Sequence, residues 1–434
     1  MPLAELRDAR SANWIPILLG QGFGLACGLV GVRLISALVP PVAMGDYGLF
    51  LALTPVGPLL THAGLVKHAN RHWALATDRR DYLRSLIRVS LAPMIVLTIA
   101  VAIFGLAGQM GGWHAAAIVF TVCLWLANIA GAYALIFQSA LQGAGRYWAD
   151  FGIMIVSSAT RTFFPLLAVL AAGATARVLA GGFALSTLTI ALTACFMIWS
   201  LSGASPATGA PPPRPMWGHY QWAFALAGAL AVLTNGLNRW IGAWLFDAHT
   251  LGVFMLAMNI SFVLPNVLSA ACWQFSFPQL VAAAQRGDAA GLSRRLVATT
   301  SLFLVLSAGA GATLAFILPW LPGTLIDHSY AGALPFVLPL FGFGTALGLA
   351  YFFQHAMLAA HAPRRALKIA LASSLVLTVG SIGAAMISPR TFITWLAVSP
   401  LVVLITAGVF TRNQLRQTMK AQNELRLATN NGAH

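Results

Sequence analysis

Apolar positions along this chain neither alternate nor fall into narrow stripes. They run on for about twenty residues at a time, the length an α-helix needs to cross ~30 Å of hydrocarbon. Such runs fall at 13–39, 48–66, 87–107, 115–140, 152–172, 178–200, 221–246, 251–277, 297–318, 332–358, 367–388 and 392–411. The pattern predicts an all-α polytopic membrane protein of about twelve transmembrane helices. One interval differs from the other short connections. Residues 202–219, SGASPATGAPPPRPMWGH, hold five prolines and no apolar period, which reads as a linker between two six-helix bundles at 1–201 and 220–411. Residues 412–434 form a basic tail.

The two bundles resemble each other. GDYGLFLAL from Gly45 matches HTLGVFMLA from His249, each after an arginine in the preceding span, Arg33 or Arg239. FQSAL from Phe137 matches FQHAM from Phe353, and a basic loop follows each. Matched features at a steady offset indicate an internal duplication. Six spans per half is an even number, so both halves share one orientation, a pseudosymmetry that many transporters use to build a central cleft.

Composition excludes other classes. The 434 residues are 59% hydrophobic and 8% charged, with a formal net charge of +15, against about 25% charged residues in soluble domains. No room remains for a sizeable soluble enzyme domain. In a membrane protein such a charge excess is first a matter of topology. With the N-terminus placed inside, all but five of the 25 Lys and Arg fall in inside segments. Arg177 and Arg390 lie in outside loops, and Arg33, Arg161 and Arg239 lie within spans. Both termini are therefore expected in the cytoplasm, and no nucleic-acid partner is expected. Cys27, Cys123, Cys195 and Cys272 sit inside apolar runs without metal-ligand spacing, so neither a disulfide framework nor a metal is expected. His68 and His72 have i, i+4 spacing but no third ligand. Their loop reads as basic surface against anionic headgroups. No catalytic constellation and no cofactor motif stands out; the Gly20, Gly24, Gly28 and Gly344, Gly348 runs read as helix-packing faces.

The chemistry that remains is intramembrane. No Asp or Glu falls within the twelve runs, whereas three arginines do, a balance suited to an anionic substrate. Arg161 is central in the fifth span and too deep to snorkel. It faces either a hydrated cavity or carbonyl partners within the bundle. Arg33 and Arg239 lie nearer the outer ends, and for each both a cleft position and snorkelling to the interface stay open. Asn235 and Asn238 share a face with Arg239. Asn259, Asn266 and Trp273 recur every seven residues with Gln274 adjacent, and Asn128 lies on a polar face of the fourth span that Gln138 flanks. Amides and aromatic rings suit sugar contacts, and equally suit interhelical hydrogen bonds.

The segments VRLISALVPPVAMGDYGLF, GLVKHANRHWA, LQGAGRYWADFG and FPQLVAAAQRGDAAGLSRRL, in this order between the spans, resemble the polysaccharide flippases (Wzx type) of the MOP exporter superfamily, exporters of O-antigen and exopolysaccharide repeat units. The resemblance implies a bacterial inner-membrane protein of two six-helix bundles around a cationic cavity. It also implies a substrate, an undecaprenyl-pyrophosphate-linked oligosaccharide, moved from the cytoplasmic to the outer leaflet of the bilayer, with a polysaccharide polymerase and a chain-length regulator as pathway partners. On that reading Arg161, Arg239 and Arg33 take the pyrophosphate and the amide and aromatic stripes take the sugars. A multidrug or cation antiporter of the same superfamily and a membrane scaffold for glycosyltransferases are the alternatives.

Overall fold

The computed structural model describes residues 14–73, 76, 78–110, 114–202, 219–286, 288–359 and 363–431. Among these the regular secondary structure is helical, with no strand. In order the helices are α1 (Trp14–Leu38), α2 (Pro41–Leu53), α3 (Val56–His72), α4 (Arg79–Met110), α5 (His114–Gly143), α6 (Tyr147–Ala172), α7 (Ala176–Ser200), α8 (His219–Leu245), α9 (Ala248–Arg286), α10 (Ala289–Ile317), α11 (Leu334–Ala359), α12 (Pro363–Ile387) and α13 (Pro389–Asn431). Short turns between 318 and 333 link α10 to α11.

Ten helices among the described residues are long and apolar enough to cross a membrane. The two expected spans outside that set have identifiable causes. The run at 48–66 is broken between α2 and α3, where Thr54 Oγ1 turns back onto the Leu51 carbonyl at 3.0 Å and Pro55 occupies the N-cap of α3. Proline has no N–H to continue the α2 ladder, so one span becomes two shorter helices. The run at 221–246 does form a single helix, α8, but Asn235, Asn238 and Arg239 reduce its apolar character. The Pro-rich interval lies largely outside the described residues. The basic tail continues α13 as far as Asn431.

The chain divides into two compact units. The first runs through Val232 and also takes in Ala248–Val253 and Thr324–Tyr330; the second holds the remainder. In the first unit α3 and α7 both pack on α5. The contact surface is lined by buried small residues, Ala130, Ala134 and Ala140 on α5 with Ala191 and Ala194 on α7. Small side chains bring helix backbones close where no hydrophobic drive exists between apolar helices in lipid. Glycines do the same for α1 on α6: a Cβ on Gly31 would stand 2.9 Å from Thr162 Cγ2, and Thr162 Oγ1 donates to the Cys27 carbonyl at 3.3 Å. Where α6 and α7 meet, a Cβ on Gly182 would fall 2.5 Å from Pro165 Cα.

The duplicated motif also serves the first unit as a contact. A Cβ on Gly45 would lie 3.3 Å from the Gly252 nitrogen, and one on Gly252 would overlap the Pro41 carbonyl. Farther along the loop side, Ser36 Oγ accepts from the Asp327 N–H at 3.1 Å, and the Tyr330 hydroxyl donates to the buried Val39 carbonyl at 2.8 Å. The second unit packs α11 and α12 on α13. Its centre is aromatic: Phe254, the repeat counterpart of Phe50, meets Phe336 edge-on at 5.5 Å and Phe246 at 5.4 Å. The Ser261 hydroxyl, shared with Ala257, donates across to the Val337 carbonyl at 2.8 Å, joining α9 to α11.

Candidate functional site

Arg161 sits near the middle of α6, four residues before the helix-internal Pro165. It is exposed at its surface, yet aromatic groups of its own unit stand around it. Its Cζ lies 6.0 Å from the centroid of the Phe183 ring on α7, and the Tyr47 hydroxyl on α2 lies within electrostatic range. Phe50 ties these walls together, stacked on Tyr47 with centroids 6.2 Å apart and edge-on to Phe183 at 6.0 Å and to Phe120 at 5.6 Å. A guanidinium over an aromatic face is stabilised by the ring quadrupole, but a ring cannot neutralise it. Among the described residues Arg161 has no carboxylate partner. A single guanidinium in an aromatic enclosure presents its fork of donors to an anion.

The sequence does not single out Tyr47, Phe50 and Phe183 as neighbours of Arg161. Of the three only Phe50 carries a sequence signal, recurring as Phe254 in the repeat, whereas Tyr47 aligns with Leu251 and Phe183 lies outside the repeated segment.

The other expected residues are dispersed. Arg33, in the same unit, is exposed and drawn to the loop acid Asp327. The Asp327 carboxyl is held below its ordinary value chiefly by the Ser329 backbone N–H at 2.9 Å, then by the Ser329 hydroxyl, with His328 and Arg33 adding to this. Asn128 is 2% exposed. Its Oδ1 accepts from the Gly57 N–H at 2.7 Å and its Nδ2 donates to the Leu124 carbonyl at 2.8 Å. The amide is thus occupied in anchoring the start of α3 to α5. Gln138 donates from Nε2 to Asp150 Oδ1 at 2.8 Å, and Gln142 from Nε2 to Oδ2 at 3.0 Å. Asn128 and Gln138 thus both make hydrogen bonds within the first unit, the interhelical role that their residue type equally allows.

Asp150 corrects the expectation of an acid-free interior. It is 3% exposed and lies on the first turn of α6. That helix starts at Tyr147, earlier than the apolar run at 152–172, because Tyr147, Trp148 and Ala149 extend it before the polar Arg146. The two glutamine amides supply donors to both carboxylate oxygens, and the helix N-terminus favours negative charge there. No cation pairs with it among the described residues.

In the second unit Asn235, Asn238 and Arg239 occupy one face of α8. Asn238 is fully buried, with Nδ2 donating weakly to the Thr234 carbonyl at 3.4 Å. The Oδ1 atoms of Asn235 and Asn238 are buried with no hydrogen-bond partner among the described residues. A buried orphan carbonyl is costly, so the pair is suited to accept from hydroxyl or water donors. On α9, Asn259 is half-buried and Asn266 exposed. Trp273 meets Tyr351 edge-on at 6.1 Å and Phe352 at 6.4 Å. The side chain of Gln274 lies outside the described residues. No group of three or more metal-ligating side chains occurs among the described residues.

The fold is that of the MATE transporters. An outward-facing multidrug resistance MATE family transporter of the MOP superfamily matches with TM-score 0.65 at 14% identity, over 94% of this chain and 95% of that one. A MATE protein in complex with MaL6 matches with TM-score 0.67 at 12% identity, over 94% and 97%. An inward-facing multidrug resistance MATE family transporter matches with TM-score 0.62 at 14% identity, over 92% and 96%. No protein-family model and no curated protein matches the chain.

Proposed function

We propose that this protein is a flippase that carries a polyprenyl-pyrophosphate-linked oligosaccharide from the cytoplasmic to the outer leaflet of a bacterial inner membrane, by alternating access. The observation that carries the reading is Arg161: an exposed guanidinium near the middle of α6, beside Phe183 and Tyr47 and with no carboxylate partner among the described residues. Placing an arginine at bilayer depth costs from ~2.5 to more than 10 kcal/mol, and such a residue is kept where a hydrated anion site requires it. A pyrophosphate matches the guanidinium fork in charge and geometry. The polyprenyl tail stays in lipid, so only the head needs enclosure. The orphan Asn235 and Asn238 carbonyls and the Trp273–Tyr351 pair suit sugar hydroxyls and ring faces. For a head with about two net negative charges, an inside-negative potential of ~100 mV favours export by ~4–5 kcal/mol.

A multidrug or cation antiporter is the second reading. The solved structures that share the fold include multidrug transporters, and Asp150 supplies a buried carboxylate of the kind that takes up a proton or cation. Deletion of the gene separates the two. The flippase reading expects lipid-linked oligosaccharide to accumulate on the cytoplasmic leaflet, with restoration by the wild-type gene and no restoration by Arg161→Ala at normal protein level. An antiporter instead changes cationic drug tolerance and leaves the lipid-linked pool unaltered.

A further inference from the structure

At the arginine-rich end of the first unit, α4 and α7 meet although each packs separately on α5. The meeting point is Arg80. Its Cζ lies 5.4 Å from the centroid of the Trp199 ring, and its Nε donates to Ser202 Oγ at 3.4 Å. Ser202 Oγ in turn donates to the Trp199 carbonyl at 2.6 Å, which fixes it. One face and one edge of the guanidinium are thereby held. The side chain is exposed, and its two terminal nitrogens have no partner among the described residues. Arg84, one turn on, is also exposed and has no partner among the described residues, although Asp78 and Asp81 lie on the neighbouring turn.

Beyond this charged end both helices turn apolar side chains outward. On α4 these are Leu91, Ile95 and Ile99, and on α7 they are Leu192 and Phe196, the last 74% exposed. Both helices that carry these exposed apolar residues pack on α5, and Arg80 joins them at one end through Trp199 and Ser202. The order of chemistry along them, guanidinium and indole first and aliphatic surface after, is the order met on passing from headgroup to acyl chain.

We propose that this surface is a binding site for one anionic phospholipid, with its phosphate on the free edge of Arg80, supported by Arg84, and its acyl chains along the exposed apolar side chains of α4 and α7. The stacked, hydrogen-bonded guanidinium presents a planar fork of the kind that takes phosphate bidentately. A freely rotating surface lysine offers only a point charge. The site is separate from the Arg161 enclosure and does not depend on what the protein transports.

The test is native mass spectrometry of the purified full-length chain, exchanged from detergent into micelles doped with phosphatidylglycerol or phosphatidylcholine. The expected result is retained phosphatidylglycerol in preference to phosphatidylcholine. Arg80→Gln and Trp199→Leu should each weaken retention about five- to tenfold, and Arg80→Lys, with charge kept and fork lost, should fall most of the way with them. Arg390→Gln, a basic residue on another helix, should retain lipid like the wild type. Equal retention of the two lipids, undiminished retention in Arg80→Gln, full retention in Arg80→Lys, or an equal loss in Arg390→Gln would each overturn the proposal, the last two by reducing it to bulk charge.

Discussion

Asn128 and Gly57 give the most quantitative check on which polar residues this protein spends on its own architecture. The Asn128 amide spans from α5 to the start of α3, taking the Gly57 N–H at 2.7 Å. A Cβ on Gly57 would lie 2.4 Å from Asn128 Oδ1 and 2.8 Å from its Cβ and Cγ. Gly57→Ala therefore forces the amide away, losing one hydrogen bond of about 0.5–1.5 kcal/mol and adding an overpacking cost of about 1–3 kcal/mol. Asn128→Ala removes the side-chain acceptor of the buried Gly57 N–H, at about 1–3 kcal/mol. The two losses share one contact, and in the double variant the methyl added at position 57 fills the space that the Asn128 side chain vacates. That variant should then be less destabilised than the sum of the singles, by about 1–3 kcal/mol of coupling. Equilibrium unfolding in mixed micelles of increasing denaturing-detergent fraction reads all four corners of the cycle. Additive effects, or a neutral Gly57→Ala, would refute the packing argument. Transport per folded molecule should be retained in Asn128→Ala, which separates it from Arg161→Ala.

Three further outcomes follow from named contacts. Asp150→Asn keeps the shape but leaves a single acceptor oxygen where two glutamine amides donate, so one charge-assisted bond becomes neutral and the other is lost unless the facing glutamine turns its own oxygen inward; it should lower stability by ~1–3 kcal/mol in the same unfolding assay. Asp327 has its carboxyl held below the ordinary value, so its stabilising effect is full above the unfolded value and is lost as pH falls through the folded one. Amide exchange of Ser329 and Tyr330 should accordingly accelerate in acid below the usual carboxylate range, and Asp327→Asn should remove that pH dependence. Gly182→Val presses a branched side chain on the Pro165 backbone and should destabilise by ~1–3 kcal/mol or more, whereas the same change at Gly181, with nothing within 4 Å, should cost no more than helix propensity.

Much of the fold was legible because lipid imposes a simple rule: every backbone polar group must be satisfied within its own helix, so helix positions follow apolar run length. The rule failed where a local effect overrode it. Pro55 broke one run, and the polar face of α8 diluted another. The span edges were less legible, and the miss at Asp150 came from there, since a few uncharged residues prolong α6 beyond its apolar run. The arginine was found from charge alone. Its aromatic walls were not, because Tyr47, Phe50 and Phe183 come from α2 and α7, and apolar residues in apolar helices carry no mark of which neighbour they face. Amide stripes were ambiguous in principle, as the same spacing serves a cavity or a helix contact. Asn128 and Gln138 make contacts within the first unit, whereas the Oδ1 atoms of Asn235 and Asn238 have no partner among the described residues.

The central claim is that Arg161 receives a pyrophosphate head during translocation. The direct measurement is translocation of a fluorescent polyprenyl-pyrophosphate oligosaccharide in vesicles reconstituted with purified protein, read by accessibility of the head to a membrane-impermeant quencher. The account predicts protein-dependent flipping that Arg161→Ala abolishes and that Arg161→Lys, with a point charge in place of the fork, restores only weakly. Flipping by Arg161→Ala at the wild-type rate, with protein correctly inserted, would contradict it.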